Sequence, residues 1–395
     1  MFVRELALRD YRSWEHVELE LQPEPTIFVG RNGFGKTNLL ESLFYVATLR
    51  SHRVSSDAPL VRSGASAARI GATVQNDGRE LSVELTVVEK GANKATVNTA
   101  PVRRTREILG ILRTVLFAPE DLALVRGEPG ERRRFLDEIV VQLRPLAAGA
   151  RADYDRVLRQ RSALLKTAGA AIRRSSAEAD SVMSTLDVWD GQLAQFGAEV
   201  TAERLSVVRQ LNPLVAQAYS SIAPHSRPAQ IAYRSAAGPD VDQSPGGDES
   251  IAGIREVLAQ RLTEVRGKEI DRGLCLIGPH RDDLLLNLGE EPAKGFASHG
   301  ESWSLALALR LACVDLLRAD GVEPVIMLDD VFAELDAARR SKLAEFTASA
   351  EQLLLTAAVG EDIPAALRGR RIAVGVTEED GRRRSQIIGD ERAEQ

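Results

Sequence analysis

The sequence predicts a mixed α/β fold that carries an antiparallel β flap and is interrupted by a mainly helical lobe. Three observations carry that prediction. The first hundred residues hold short runs of period-two alternation around one continuous apolar strand. From about Gly127 the pattern changes to helical three-four spacing. After IGPHRDDLLLNL, residues 277–288, strands and helices alternate again.

The elements follow in order. FVRELALRD and HVELEL alternate apolar with polar residues, as half-buried strands do, and TIFV at 26–29 is a short buried strand ending at Gly30. NLLESLFYVATL continues as a helix. ARIGATVQ, ELSVELTVVE and KATVN read as three more strands, and Asn76-Asp77-Gly78 between the first two predicts a hairpin, because these residues tolerate the positive φ of a tight turn. Leu186, Trp189, Leu193, Phe196 and Val200 lie on one helical stripe and ask for a partner helix, with Met183 off the seam and Pro213 expected to end the run. SAAGPDVDQSPGGDES, 235–250, is expected to be a flexible loop. A helix over 301–318, the strand PVIMLDD, a helix from about Ala337 and the strand QLLLTA complete the chain. The expected division is 1–126 with 272–395 as one lobe and 127–271 as the helical lobe.

At 395 residues, 44% hydrophobic and 27% charged, the chain has the composition of a soluble globular protein. A net charge of −6 excludes a uniformly cationic surface, so nucleic-acid contact is expected only from local patches. Arginine-rich stretches at 103–106, 132–134, 156–161 and 382–384 are the candidates. Two cysteines, Cys275 and Cys313, make neither a disulfide framework nor a zinc site. With no signal-like opening and no apolar run long enough to cross a bilayer, a cytoplasmic location is expected.

GRNGFGKT, residues 30–37, matches G-x-x-x-x-G-K-[ST] between a buried strand and a helix. Gly30, Arg31, Asn32, Gly33, Phe34 and Gly35 form a loop whose amides can wrap phosphate oxygens, Lys36 reaches the terminal phosphates of the nucleotide, and Thr37 ligates Mg²⁺. VIMLDD, 325–330, is the expected second half: Asp329 reaches the Mg²⁺ shell and Asp330 positions or deprotonates the attacking water. Lys36 and Asp330 are therefore the candidate catalytic pair. Ser298, Gly300 and Glu301 open the later helix with a small polar turn. S-x-x-E is also a helix capping box, and a capped helix start still offers amides to an anion.

That turn resembles the signature turn of ATP-binding-cassette ATPases and their SMC relatives, which binds the γ-phosphate held by a second subunit. LALRDYRSW, GRNGFGKTNLLES, FAPEDLALVRGEPGERRRFLD, IGPHRDDL, FASHGESWSLALALRLA and LDDVFAELD together resemble the RecF family over nearly the full length. The resemblance implies an SMC/ABC-type P-loop ATPase head whose second lobe is short and helical. It implies an ATP-dependent homodimer on gapped or junction DNA, single-stranded on one side, with weak DNA-dependent hydrolysis. It implies partnership with RecR, and with RecO and RecA in recombinational repair and the SOS response, and no membrane. By matching position Arg12 approaches the nucleotide, while Ser298, Gly300 and Glu301 serve a partner's ATP. Asp330 replaces the usual Glu, one methylene shorter, which implies slow turnover. Thr356 stands where a switch His is usual, Trp303 is expected to be packed, and Asp336 either caps a helix or touches a paired head. The roles of the 117–137 and 277–284 segments stay open between structure and ligand contact.

Other classes fit less well. A transporter ATPase would place the signature turn sooner after the phosphate loop. A GTPase needs an Asp after an Asn-Lys pair, and Asn93-Lys94 lacks one. A non-hydrolysing scaffold differs by one measurement, ATP hydrolysis that rises with gapped DNA.

Overall fold

The computed structural model describes residues 1–360, 363–379 and 382–391. Chain contacts divide it into two compact units: Met1–Val125, Gln217–Ser226 and Ser298–Gln395 form one, and Arg126–Ala216 with Arg227–Ala297 form the other. Strands and helices are numbered in chain order below.

The first unit is built on two sheets. One has the order β15-β14-β3-β13-β12-β8, from β3 (Pro25–Val29), β8 (Thr114–Phe117), β12 (Val325–Asp329), β13 (Leu353–Ala357), β14 (Arg370–Glu379) and β15 (Arg382–Glu391). Its four pairings from β14 to β8 run parallel, and the β14/β15 hairpin is antiparallel. β12 and β13 are fully buried apolar runs, as strands covered on both faces must be. The flap has the order β2-β1-β4-β5-β6-β7, from β1 (Phe2–Tyr11), β2 (Trp14–Glu20), β4 (Ala67–Asn76), β5 (Arg79–Val88), β6 (Lys94–Val97) and β7 (Ala100–Pro101). The expected β4/β5 hairpin closes with Asn76 opposite Arg79, and Asp77 and Gly78 take φ of 48° and 74°, the two positive values a type I′ turn requires.

Helix α1 (Lys36–Thr48) packs against both sheets, touching β4 of the flap and β8, β12 and β13. That explains why its sequence is apolar nearly all round: Leu39, Leu40, Leu43, Phe44 and Val46 sit in one core with Leu6, Ile70, Met327 and Leu354. α2 (Leu122–Arg126) follows β8. α9 (His299–Ala319) and α10 (Ala337–Thr347) flank β12. Trp303 is buried, as expected.

The second unit contains α3 (Pro129–Leu143), α4 (Ala147–Arg174), most of α5 (Ser176–Ile222), α6 (Pro239–Asp242), α7 (Ile251–Arg272) and the short turn α8 (Ala293–Phe296). It also carries a three-stranded sheet, β11-β10-β9. β9 (Ala229–Arg234) pairs antiparallel with β10 (Asp283–Leu288), and β10 with β11 (Glu291–Pro292). That pairing carries 272–297 into this unit, so the chain returns to the first unit at Ser298 rather than at 272. The stretch 235–250 includes the helical turn α6 with Val241 buried, in place of an irregular loop.

Pro213 does not end its helix. α5 runs 47 residues with Pro213 inside it, because Leu211 and Val215 are fully buried on either side and packing outweighs the one lost hydrogen bond. Leu186, Leu193 and Val200 face the core, and Met183 packs there too.

Two arginine runs read as surface patches each carry a buried member, Arg132 in one and Arg161 in the other, while Arg156 is exposed. Arg132 is buried and forks onto Asp283, and Arg133 donates to the Asp282 carbonyl. Arg161, without solvent exposure, spans Asp190 and Glu269 at 2.6 Å each and reaches the Cys275 sulfur. The 277–284 segment is held by the same kind of bond. Tyr154 meets His280 at 2.6 Å, Arg204 joins Asp137 to the Pro279 carbonyl, and Tyr233 donates to Asp282. Arg103 and Arg104 remain exposed. In the run 382–384 the Arg382 side chain lies outside the described residues, as do residues 361–362, 380–381 and 392–395 of the expected 272–395 lobe.

Candidate functional site

The glycine loop sits where β3 ends and α1 begins, at the carboxyl edge of a parallel sheet, where α/β proteins place ligands. Two glycines are required by close approach. A Cβ on Gly30 would lie 2.3 Å from the Val374 carbonyl oxygen of β14, and Gly35, at φ 99°, is wedged against the hydroxyls of Ser385 and Ser13. The loop is braced from outside. Trp14 donates its indole N–H to the Gly35 carbonyl, Asn38 donates to Ser13, and Ser385 to Ser13. Arg31, Asn32 and Gly33 are exposed at its rim, while Phe34 lies beneath the Arg383 guanidinium.

Lys36 is 3% exposed, and its ammonium folds back onto the loop, donating to the Gly30 carbonyl at 2.7 Å and to Asn32 Oδ1 at 3.3 Å. Burial lowers its pKa, against the pull of Asp330 and Asp329. Asp330 Oδ2 lies 3.9 Å from Lys36 Nζ. The second half of the expected site is therefore assembled beside the first, although nearly three hundred residues separate them.

Asp329 ends β12 and is buried. Its Oδ1 accepts from Thr37 at 2.8 Å and from Thr356 at 2.7 Å. The parallel register sets this up: Asp329 lies opposite Thr356 on β13, and Thr356 opposite Phe28 on β3. Burial pushes the Asp329 pKa up to about 6, with the Thr356 and Thr37 hydroxyls pulling the other way. Thr356 also accepts the Asp330 N–H at 2.9 Å and so fixes Asp330 in a left-handed conformation, φ 49°, uncommon for a residue other than glycine. Thr356 thus acts on the site through both aspartates, a role the sequence left open.

These residues fit a divalent cation of the Mg²⁺ kind. Among the described residues no Lys or Arg forms an ion pair with Asp329, and no cluster of three or more His, Cys, Asp or Glu makes a closed metal cage. One carboxylate beside one hydroxyl is the sparse donor set such a cation takes when phosphates and water supply the rest.

Arg12 is held by an ion pair within the first unit. Its guanidinium forks onto Glu41 at 2.6 and 2.8 Å and donates to the Pro59 carbonyl. Glu41 is fully buried, and the arginine with the Ser51 hydroxyl holds its carboxyl below the usual range against the effect of burial. Ser51 in turn accepts the N–H groups of Arg53 and Val54, which fixes the turn after α1. That turn presents His52, a residue the sequence reading passed over because nothing local marks it. The His52 side chain is 7% exposed, with Nε2 4.0 Å from Asp329 Oδ2.

Ser298 caps α9. Its hydroxyl accepts the Glu301 N–H at 3.2 Å, and Glu301 takes the Ser298 N–H at 2.9 Å and the Ser226 hydroxyl at 3.2 Å. Gly300 lets the Arg339 guanidinium lie against the turn. Asp336 caps α10 and pairs with Arg339. In the 117–137 segment, Asp121 binds the Ala118 N–H and takes a fork from Arg310 of α9.

Comparison with known proteins identifies the family. The family model described as RecF/RecN/SMC N terminal domain matches residues 2–381. A Rhodococcus erythropolis protein described as DNA replication and repair protein RecF is 57% identical over 396 residues, covering 98% of this chain and 97% of that protein. This chain belongs to the RecF family. Solved structures of the recombination mediator protein RecF in its ATPrS and ATP forms superpose with a TM-score of 0.84 at 24% identity, covering 98% of both chains. The Smc head domain of Pyrococcus furiosus follows at a TM-score of 0.53 and 16% identity, over 98% of this chain and 96% of that one. The SMC/RecF head fold, α/β with helices and sheets, is that of this RecF-family chain. Among the described residues no helix is long and apolar enough to cross a membrane.

Proposed function

We propose that this chain is an ATP-dependent DNA-binding protein of DNA replication and repair, which dimerises on ATP and acts at single-strand gaps and duplex junctions. The observation that carries the reading is the joining of Thr37, Asp329, Thr356 and Asp330 beside the Lys36 loop. Lys36 and the loop amides would hold the triphosphate, Thr37 and Asp329 the cation, and Asp330 the attacking water. Mg²⁺, when bound, neutralises phosphate charge. Ser298, Gly300 and Glu301 would meet the triphosphate of a second copy. Hydrolysis would be slow and DNA-stimulated, since Asp330 is short and held in a strained conformation. In the cell the reading assigns the chain to RecA loading with RecR and RecO, and to SOS induction.

The 24%-identical solved relative bound to ATP, and the name of the 57%-identical relative, support this reading. Lys36→Met tests it most directly. The variant should keep its fold by circular dichroism and lose ATP binding by calorimetry. The charged donor is worth about 1.5–3 kcal/mol, so unchanged affinity would reject the site. DNA binding should weaken steeply with salt and strengthen with ATP.

A further inference from the structure

The turn after α1 carries a group that the cation site has not yet used. His52 is more than nine-tenths buried, stands edge-on to Phe44 with ring centroids 5.7 Å apart, and points Nε2 at Asp329. Among the described residues neither ring nitrogen has a hydrogen-bond partner. Packing on Phe44 explains the ring's burial but not its nitrogens, since an unsatisfied buried polar atom costs about 1–3 kcal/mol. A phenyl ring would pack there without that cost. The turn is also held firmly, through Arg12, Glu41 and Ser51, which is more restraint than a surface turn needs.

We infer that His52 belongs to the divalent-cation site, where one imidazole nitrogen holds a water in the shell of the cation bound by Thr37 and Asp329. The inference rests on the nucleotide reading above. The 4.0 Å from Nε2 to Asp329 Oδ2 is too long for a hydrogen bond and is readily spanned by a shared water. Groups that orient a cation's ligands typically change its affinity by about 10- to 100-fold when removed.

The test uses the full chain with Mn²⁺ and a non-hydrolysable ATP analogue. In protein labelled with ¹⁵N-histidine, pulsed electron paramagnetic resonance should show a ¹⁵N coupling to manganese that His52→Phe abolishes. The same variant should bind the Mn²⁺–nucleotide complex about 10- to 100-fold more weakly. His52→Gln, which keeps a hydrogen-bonding group, should recover part of the affinity. Thermal unfolding without metal checks that His52→Phe remains folded; if it does not, the coupling in labelled wild type and the affinity of His52→Gln decide. Wild-type protein that binds the Mn²⁺–nucleotide complex with no ¹⁵N coupling overturns the role of His52 and leaves the nucleotide site standing. Wild-type protein that does not bind the complex overturns both.

Discussion

Ser298→Asp separates helix capping from phosphate recognition. Asp is as good a cap as Ser, and a carboxylate in the first turn is favoured by the helix dipole. The Glu301 N–H now donated to Ser298 at 3.2 Å keeps an acceptor, so stability should change by less than about 0.5 kcal/mol. A partner's triphosphate would instead meet a new negative charge. At about 4 Å and an effective dielectric of about 20, one such pair costs about 4 kcal/mol, or about a thousandfold in the association constant. A two-fold dimer contains the contact twice. Sedimentation with a non-hydrolysable ATP analogue reads the outcome directly: wild type should shift to dimer, and Ser298→Asp should remain monomeric while binding nucleotide normally. Ser298→Ala is the complementary control, losing about 1 kcal/mol of capping without adding charge. Unchanged dimerisation of Ser298→Asp would refute recognition of a second copy's phosphate by this turn.

Asp330→Asn keeps a residue type that tolerates the left-handed backbone and should bind ATP normally, while single-turnover hydrolysis slows by about 10²- to 10⁴-fold; an unchanged rate would remove Asp330 from the chemistry. Arg161→Met takes the cation from the fully buried Glu269 and leaves Asp190 with Arg266 alone, and should cost about 3–5 kcal/mol in urea unfolding. Arg156→Ala, on an exposed side chain of the same helix, should cost under about 1 kcal/mol. Equal effects would mean the buried network is not holding α4, α5 and α7 together. His280 has its pKa pushed down to about 4 by burial. The unfolded chain therefore takes up the proton first, so the stability His280 contributes is complete above about pH 6.5 and is lost as pH falls towards 4. Amide exchange in α4 and α7 should accelerate between pH 6.5 and 5 once corrected for its intrinsic pH dependence, and His280→Gln should flatten that change.

The parts of this molecule legible in the sequence are those fixed by neighbours in the chain. Gly30 to Thr37 announce their loop because its turns need glycine within a few residues of each other. Asp77 and Gly78 announce a hairpin for the same reason. VIMLDD could be paired with the loop because a buried strand ending in acid is a recognisable continuation. What stayed hidden depends on distant partners. Arg132 looks like surface charge until Asp283, 151 residues away, is brought beside it. β9 is short and gains its identity only from β10, and Pro213 reads as a stop until the burial of Leu211 and Val215 is known. Thr356 and His52 show no local pattern at all; parallel register places one, and the Arg12–Glu41–Ser51 chain places the other.

The two readings of the Ser298 turn, cap and phosphate contact, are not rivals in this structure. A helix start leaves several N–H groups without intrahelical acceptors. The box formed by Ser298 and Glu301 satisfies the N–H groups of those two residues. Among the described residues the N–H groups of His299 and Gly300 receive no acceptor, and Gly300 has no side chain to screen them. Capping orders the turn and leaves two oriented donors at the positive end of a 21-residue helix. The β3–α1 loop, by contrast, has its own lysine, hydroxyl and carboxylate. On the proposed reading the β3–α1 loop takes a triphosphate with its cation, and the Ser298 turn offers amides and a hydroxyl with the Arg339 guanidinium lying against it. Such an incomplete site is suited to finishing the coordination of a phosphate held elsewhere, which is why the charge introduced by Ser298→Asp should be felt in association and not in nucleotide binding by the single chain.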